Sequence, residues 1–268
     1  MRTRAGRALP LGALALGCGV IAPLRDPTRL TPALSFLGPT LPHPFGCGEA
    51  GVDLLALVTH ALLRAAALAA VVATVGLVIG APIGAVAAMR RGALERFVDR
   101  ACDLVQSFPS FLLALAVLSA VRTPTRIHLA IVFSLTAWAP FARLALAQTR
   151  VLRSAAFIEA ARALGVRGSR LLLRHILPSS MGVLAVQLGA TAGAIVVSEA
   201  ALSFVGLGPR DGVSLGSVLE QGVASMLFAP HVMAVGALSI MVTSAAVISA
   251  GRVVDVRSRL RADTPKGL

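Results

Sequence analysis

The 268-residue chain has no tyrosine, one tryptophan and a single lysine, Lys266. A phosphate-cradling loop needs a Gly-rich run ending in Lys followed by Ser or Thr. Here Gly267 follows the lysine, so ATP hydrolysis cannot reside in this sequence. Cysteine is scarce too. Cys18, Cys47 and Cys102 are far apart and odd in number, which excludes a disulfide framework. Cys18 and Cys47 can in principle meet on one side of a membrane, but all three read as small hydrophobes. The five histidines, His43, His60, His128, His175 and His231, have no His or carboxylate at i+3 or i+4. That spacing is the mark of helical metal ligands, so no metal site is expected and interface or capping roles are. No G-x-S-x-G nucleophile motif occurs. Charge is sparse at 14%, against about 25% in an ordinary soluble chain.

What remains is apolar. Hydrophobic residues make up 56% and the mean hydropathy is +0.83. A soluble domain has no interior large enough for this, and disorder requires low hydrophobicity. Residues 8–24, 65–89, 104–121, 127–142, 175–198 and 221–251 contain no Asp, Glu, Lys or Arg. A helical span needs ~20 apolar residues, within a range of ~17–25. The pattern predicts an all-α membrane protein with six spans, the fourth extended by Arg143 snorkelling from its end. Residues 30–48 are also uncharged, but Pro32, Pro39, Pro42 and Pro44 make them a loop.

The net charge of +13 sits almost wholly on arginine. With the N-terminus inside, 19 basic residues fall on the cytoplasmic side and six outside, namely Arg25, Arg29, Arg64, Arg122, Arg126 and Arg210. This positive-inside asymmetry predicts both termini in the cytoplasm and removes the case for a nucleic-acid ligand. Arg2, Arg4 and Arg7 before an apolar run are similar to a signal peptide. Ala15-Leu16-Gly17-Cys18 is similar to a lipoprotein cleavage site with its Leu misplaced. Five further spans favour an uncleaved signal-anchor.

Three domains are expected. A signal-anchor helix and outside segment cover 1–58, a core transmembrane domain 59–251, and a cytoplasmic tail 252–268. In the second span Gly76, Gly80 and Gly84 share one helix face and allow two backbones to approach closely. That face serves either a subunit interface or internal helix packing. Pro109 opens the third span at little cost, because a first helical turn lacks N–H partners. Gly206-Leu207-Gly208-Pro209 ends the fifth span, and an outside loop is expected from there to about Pro230.

The segment between the fourth and fifth spans stands out. Ser154 is expected to cap a short helix. Phe157, Ala161 and Leu164 share a face at i, i+4 and i+7. Glu159 and Arg162, at i and i+3, are placed to pair, and Gly165 suits the left-handed position that ends a helix. A second helix is expected from about Ser169 to Pro178, with Arg167, Arg170 and Arg174 on one side. Such a hairpin either lies in the headgroups or is a docking knob for a soluble partner.

Glu159-Ala160-Ala161, then Gly165, then Ile176-Leu177-Pro178 resembles the EAA loop (here 150–178) of binding-protein-dependent ABC importer permeases. Other segments resemble the C-type subunit of the dipeptide/oligopeptide/nickel branch. These are His43-Pro44-Phe45-Gly46 with Gly51-Val52-Asp53, Glu95, Arg100 and Asp103 before Ser107-Phe108-Pro109, Trp138 with Ala142-Arg143, and Ser198 to Gly208. The resemblance covers roughly 43–261. Val52, Cys47 and Glu95 depart from its usual Arg, Thr and Asp. The loop after Pro209 lacks its aromatic stretch. Those departures bear on solute and binding-protein specificity more than on coupling.

The resemblance implies a type I ABC importer permease in the inner membrane, moving peptides by alternating access. Its implied partners are a B-type permease in a heterodimer, two ABC ATPase subunits and an extracytoplasmic substrate-binding protein. It implies no cofactor on this chain, with ATP and Mg on the ATPases. Coupling would fall to Glu159, Ala160, Ala161, Leu164, Gly165, Ile176, Leu177 and Pro178. Nickel or a haem-like solute is an alternative cargo, and a non-transport anchor or regulatory subunit an alternative role. A secondary transporter would need several buried ionisable groups, and Glu199 alone is flanked by long apolar runs. One reading places Glu199, with Ser203 and Phe204, at the translocation pathway or its outer gate. The other makes it a structural carboxylate near the outer interface.

Overall fold

The computed structural model describes residues 24–262. The predicted first span, 8–24, falls almost wholly outside them. Helix α1 covers Leu54–Arg90, its start capped by Asp53, whose Oδ1 accepts the Leu55 N–H at 2.8 Å. It exceeds the charge-free interval because Arg64 does not end it. That side chain reaches the Asp211 carbonyl at 3.2 Å. Arg91 and Gly92, at φ 55° and 71°, turn the chain into α2, Gly92–Ser107.

The third span is not one helix. Helix α2 ends at Ser107 and α3, Ser110–Ser119, leaves it at 63°. Phe108 is extended at φ −96° and ψ 122°, the conformation that a following proline imposes. Pro109 does open a helix, as expected, but residues 104–107 of the expected span belong to the helix before it. Helix α4 covers Arg126–Leu152, with the Thr125 N–H donated to His128 Nδ1 at 3.2 Å. Helix α5, Ala156–Ala163, is short. Helix α6 then runs from Gly168 to Phe204, helix α7 from Leu215 to Ala224, and helix α8 from Pro230 to Ala262. Thus α7 occupies part of the expected outside loop. Ser214 caps it by accepting the Ser217 N–H at 3.1 Å.

Among the described residues, α1, α4, α6 and α8 are long and apolar enough to cross a membrane, and α2 and α3 reach that measure only as a bent pair, which is the geometry of a broken span or of a re-entrant loop. Gly76, Gly80 and Gly84 seat α1 directly on α4. A methyl group at any of them would strike the carbonyl oxygens of Ala137, Trp138 and Ala142 in turn. The stripe therefore packs internally. Gly189 of α6 sits in the same way against the Ile248 carbonyl of α8, and Gly193 against the Ile248 side chain. Leu68, Val72, Leu118, Leu129, Phe133, Val196 and Leu202 fill the central core. Val71, Val78, Ile131, Leu135, Leu238 and Met241 stay exposed, as lipid-facing side chains do when the solvent is hydrocarbon.

Candidate functional site

The hairpin between α4 and α6 is built from its glycine outward. Gly165 has φ 81°. Its N–H donates to the Arg162 carbonyl at 2.9 Å, and the Val166 N–H donates to Ala161 at 3.1 Å. This pair of bonds is a Schellman motif, which a left-handed glycine permits. The cap at the start is Ala155, not Ser154, whose Oγ turns back to the Val151 carbonyl at 3.0 Å.

The inward face also differs from expectation. Ile158 and Ala161 are buried, whereas Phe157 and Leu164 are 48% and 85% exposed. Ile158 and Ala161 join Leu171, Leu172 and Ile176 in a cluster with Ala81 and Ala85 of α1 and Phe141 and Ala145 of α4. One face thus ties the hairpin to three spans. The other leaves Glu159, Ala160, Leu164 and Gly165 at the surface. Glu159 forms no ion pair with Arg162, and it has no ion-pair partner among the described residues.

Pro178 does not end a helix. Leu172–Ile176 form a π-turn, with the Leu177 N–H bonded to Leu172, five residues back. Such a turn lets α6 continue through a residue with no N–H to give. Leu177 is half-buried and Pro178 exposed.

Acids of α2 strap this end of the bundle. Arg150 Nε donates to Glu95 Oε1 at 2.6 Å and its Nη2 to Asp99 Oδ2 at 3.1 Å. Arg153 stands 3.8 Å from Glu95 Oε2 and donates to the Ala88 carbonyl at 2.8 Å. Arg143 pairs with Asp103. Glu95 is the hub and the least exposed of these carboxylates, with 12% of its side chain in contact with solvent. We expect Glu95→Ala to lower the thermal midpoint of the purified protein by several degrees, since two arginines then lose a shared, partly buried partner. Asp103→Ala, at a more exposed pair, should shift it by about a degree or less. Fluorescence-detected gel filtration after heating measures both.

At the opposite end, Glu199 and Ser203 are 3% and 4% exposed. Ser203 Oγ donates to Glu199 Oε1 at 3.4 Å, and Glu199 Oε2 has no partner among the described residues. Gly208 and Gly216 close over Ser203. Phe204 is exposed. Near them Arg126 donates to the Val213 carbonyl at 3.1 Å and stands 3.6 Å from Asp211. In the segment before α1 Asp53 also pairs with Arg25 and lies 3.0 Å from His43 Nδ1. Burial, reinforced by Asp53, pushes the Cys47 thiol above its ordinary pKa.

Sequence reading missed a cleft of about 380 Å3 beside the Phe108–Pro109 break, between α4 and α6. Gln106, Ser110, Thr136, Gln187, Thr191 and Ser198 supply its polar lining. Its signal was present but faint. Gln187, Thr191 and Ser198 stand at i, i+4 and i+11, one face of an otherwise apolar helix.

Residues 80–260 match the family of binding-protein-dependent transport system inner membrane components. The chain is 35% identical over 209 residues to a glutathione transport system permease protein, GsiD, of Escherichia coli O6:K15:H31 (strain 536 / UPEC), covering 77% of this chain and 68% of that one. It is 31% identical over 207 residues to the GsiD of Pectobacterium atrosepticum, with the same coverage. Its fold resembles a chain of the inward-facing MetNI methionine ABC transporter, with a TM-score of 0.63 and 20% identity over 75% of this chain and 96% of that one. A greasy bundle with no phosphate-binding loop, four or five apolar spans and a surface hairpin fits that assignment. The chain belongs to the binding-protein-dependent transport system inner membrane components, as a multi-pass permease subunit of an ABC importer.

Proposed function

We propose that this permease carries small peptides, glutathione-like solutes among them, across the inner membrane. It works as one half of a heterodimer with a B-type permease. Two ATPase subunits bind ATP and Mg and hydrolyse the nucleotide, and an extracytoplasmic protein delivers the solute. Both termini and the arginine-rich end lie in the cytoplasm by the positive-inside rule. The name of the relatives, a glutathione transport permease at 35% identity, favours a peptide over nickel or a haem-like solute.

The observation that carries coupling is the two-faced hairpin. Ala161 and Ile176 anchor it to the bundle, while Glu159, Ala160 and Leu164 face outward. Ala160 permits close seating in an ATPase cleft, Glu159 offers a charge to a basic residue there, and Gly165 forms the elbow. An ATPase shifts the bundle between inward- and outward-open states only through contacts that differ between them. Turning a 1:99 population into 99:1 takes about 5.5 kcal/mol. Glu199, Ser203 and Phe204 belong in this reading to the outer end, where the two states differ.

The test is uptake by the full transporter in vesicles. Labelled glutathione and dialanine should accumulate only with ATP inside the cytoplasmic compartment and binding protein outside. ATP-dependent uptake of nickel or haem, with neither peptide, would overturn the peptide assignment. Accumulation driven by a proton or sodium gradient without ATP would overturn the mechanism.

A further inference from the structure

We infer that the cleft at the Phe108–Pro109 break is the passage that holds the cargo's peptide backbone in transit, by neutral amides and hydroxyls rather than by charge. The inference rests on the peptide reading above and names the surface that reading lacks. It starts from depth. Helix α3 has ten residues, or about 15 Å at 1.5 Å each. That is half of a ~30 Å hydrocarbon core. The break at its start therefore lies inside the membrane. Non-helical backbone at such depth is tolerated only where it is buried in protein or lines an aqueous cavity. Phe108, Pro109 and Ser110 are all exposed rather than buried, and the cleft lies against all three.

The lining decides the chemistry. Its polar side chains come from three places, the break itself, α4 and α6, and none is charged. A bare metal cation would find no carboxylate or imidazole there, and an inorganic anion no guanidinium. A peptide bond offers one donor and one acceptor in fixed geometry, which amides and hydroxyls match. Gln187 Nε2 donates to Thr191 Oγ1 at 3.1 Å, which leaves the Gln187 carbonyl and its second N–H for a ligand. Thr136 gives its proton to the Phe133 carbonyl at 3.1 Å and so faces a ligand as an acceptor. At the start of α3, Pro109 provides no side-chain cap, so first-turn N–H groups stay available.

Size agrees. About 380 Å3 lies within the ~300–1,000 Å3 of small-molecule sites. Gln187 and Ser198 are about 16 Å apart along α6, which an extended peptide of about five residues spans. Ala190 and Ala194 between them keep the wall low, so different cargo side chains fit.

The test uses the full transporter in vesicles with labelled glutathione and dialanine. Gln187→Leu and Thr136→Val remove lining groups with little change in volume. Each should raise the concentration for half-maximal uptake about tenfold, with the complex still assembled. A second measurement does not need those variants to fold. In a background with Cys18, Cys47 and Cys102 replaced by Ala, Thr191→Cys should react with a small water-soluble thiosulfonate, and dialanine in excess should slow the reaction at least threefold. Val78→Cys, on the lipid-facing side of α1, should not react. If both uptake variants match the parent, or if Thr191→Cys is as unreactive as Val78→Cys, the passage lies elsewhere and the cleft is closed by lipid or the partner permease. Loss of peptide uptake in the unmodified transporter is a different result and overturns the peptide reading itself.

Discussion

Gly165→Pro is expected to abolish ATP-driven uptake and strip the ATPase from the purified complex. The glycine sits at φ 81°, and proline is fixed near −65°. Proline also lacks the N–H that bonds Arg162 at 2.9 Å. Both Schellman bonds are then lost, and the outward residues Glu159, Ala160 and Leu164 no longer hold their places relative to Ala161 and Ile158. The effect is strain and not collision, because nothing lies within 4 Å of a Cβ built on this glycine. Gly165→Ala should therefore be intermediate, costing about 1–2 kcal/mol for a left-handed alanine. Glu159→Lys tests the docking charge without touching the turn, and should weaken ATPase retention most at low salt, where the reversed charge is least screened. Undiminished uptake and ATPase co-purification in Gly165→Pro and Glu159→Lys alike would remove the hairpin from the coupling path.

Gly84→Val should prevent a stable permease from forming. Its side chain would enter the space of the Ala142 carbonyl, as one at Gly80 would enter that of Trp138. Carbonyls within a helix cannot swing aside as a flexible side chain can. Overpacking a core typically costs about 1–3 kcal/mol, occasionally more. Here α1 and α4 must part along the whole stripe, so the loss should exceed that range. We expect a drop in monodisperse protein of tenfold or more on gel filtration in mild detergent. Gly168→Ala is the control, since a Cβ there meets open space. Normal yield of Gly84→Val would mean that α1 and α4 pack differently in the membrane.

Much of this architecture was legible before any coordinates. Charge-free intervals located α1, α4, α6 and α8, because in lipid the hydrophobic pattern alone sets the span. The glycine elbow was legible because few residues tolerate its backbone. The errors have physical causes. Phe157 and Leu164 form a true apolar stripe, but hydrophobicity does not say whether a stripe faces its own bundle or another protein. Pro178 looked terminal because a π-turn leaves no composition signal. The bend at Pro109 was missed because a proline opening a helix looks the same whether a loop or another helix precedes it. Of the site, the hairpin carried a motif. The cleft did not, since amides and hydroxyls scattered among alanines read individually as ordinary packing.

The five-residue turn at Leu172–Ile176 has a consequence for azimuth. Each residue of a helix advances its side chains by about 100°. The π-turn takes up one extra residue with little net rotation, because five residues close the ring that four close in an α-helix, and so it keeps the angular phase between the anchor at the start of α6 and the Gln187–Thr191–Ser198 row beyond. Deleting a residue from the regular helix between Leu177 and Val186 would leave that turn in place and rotate the row by about 100°. A permease so altered would keep every chemical group it has now and aim them at the wrong neighbour.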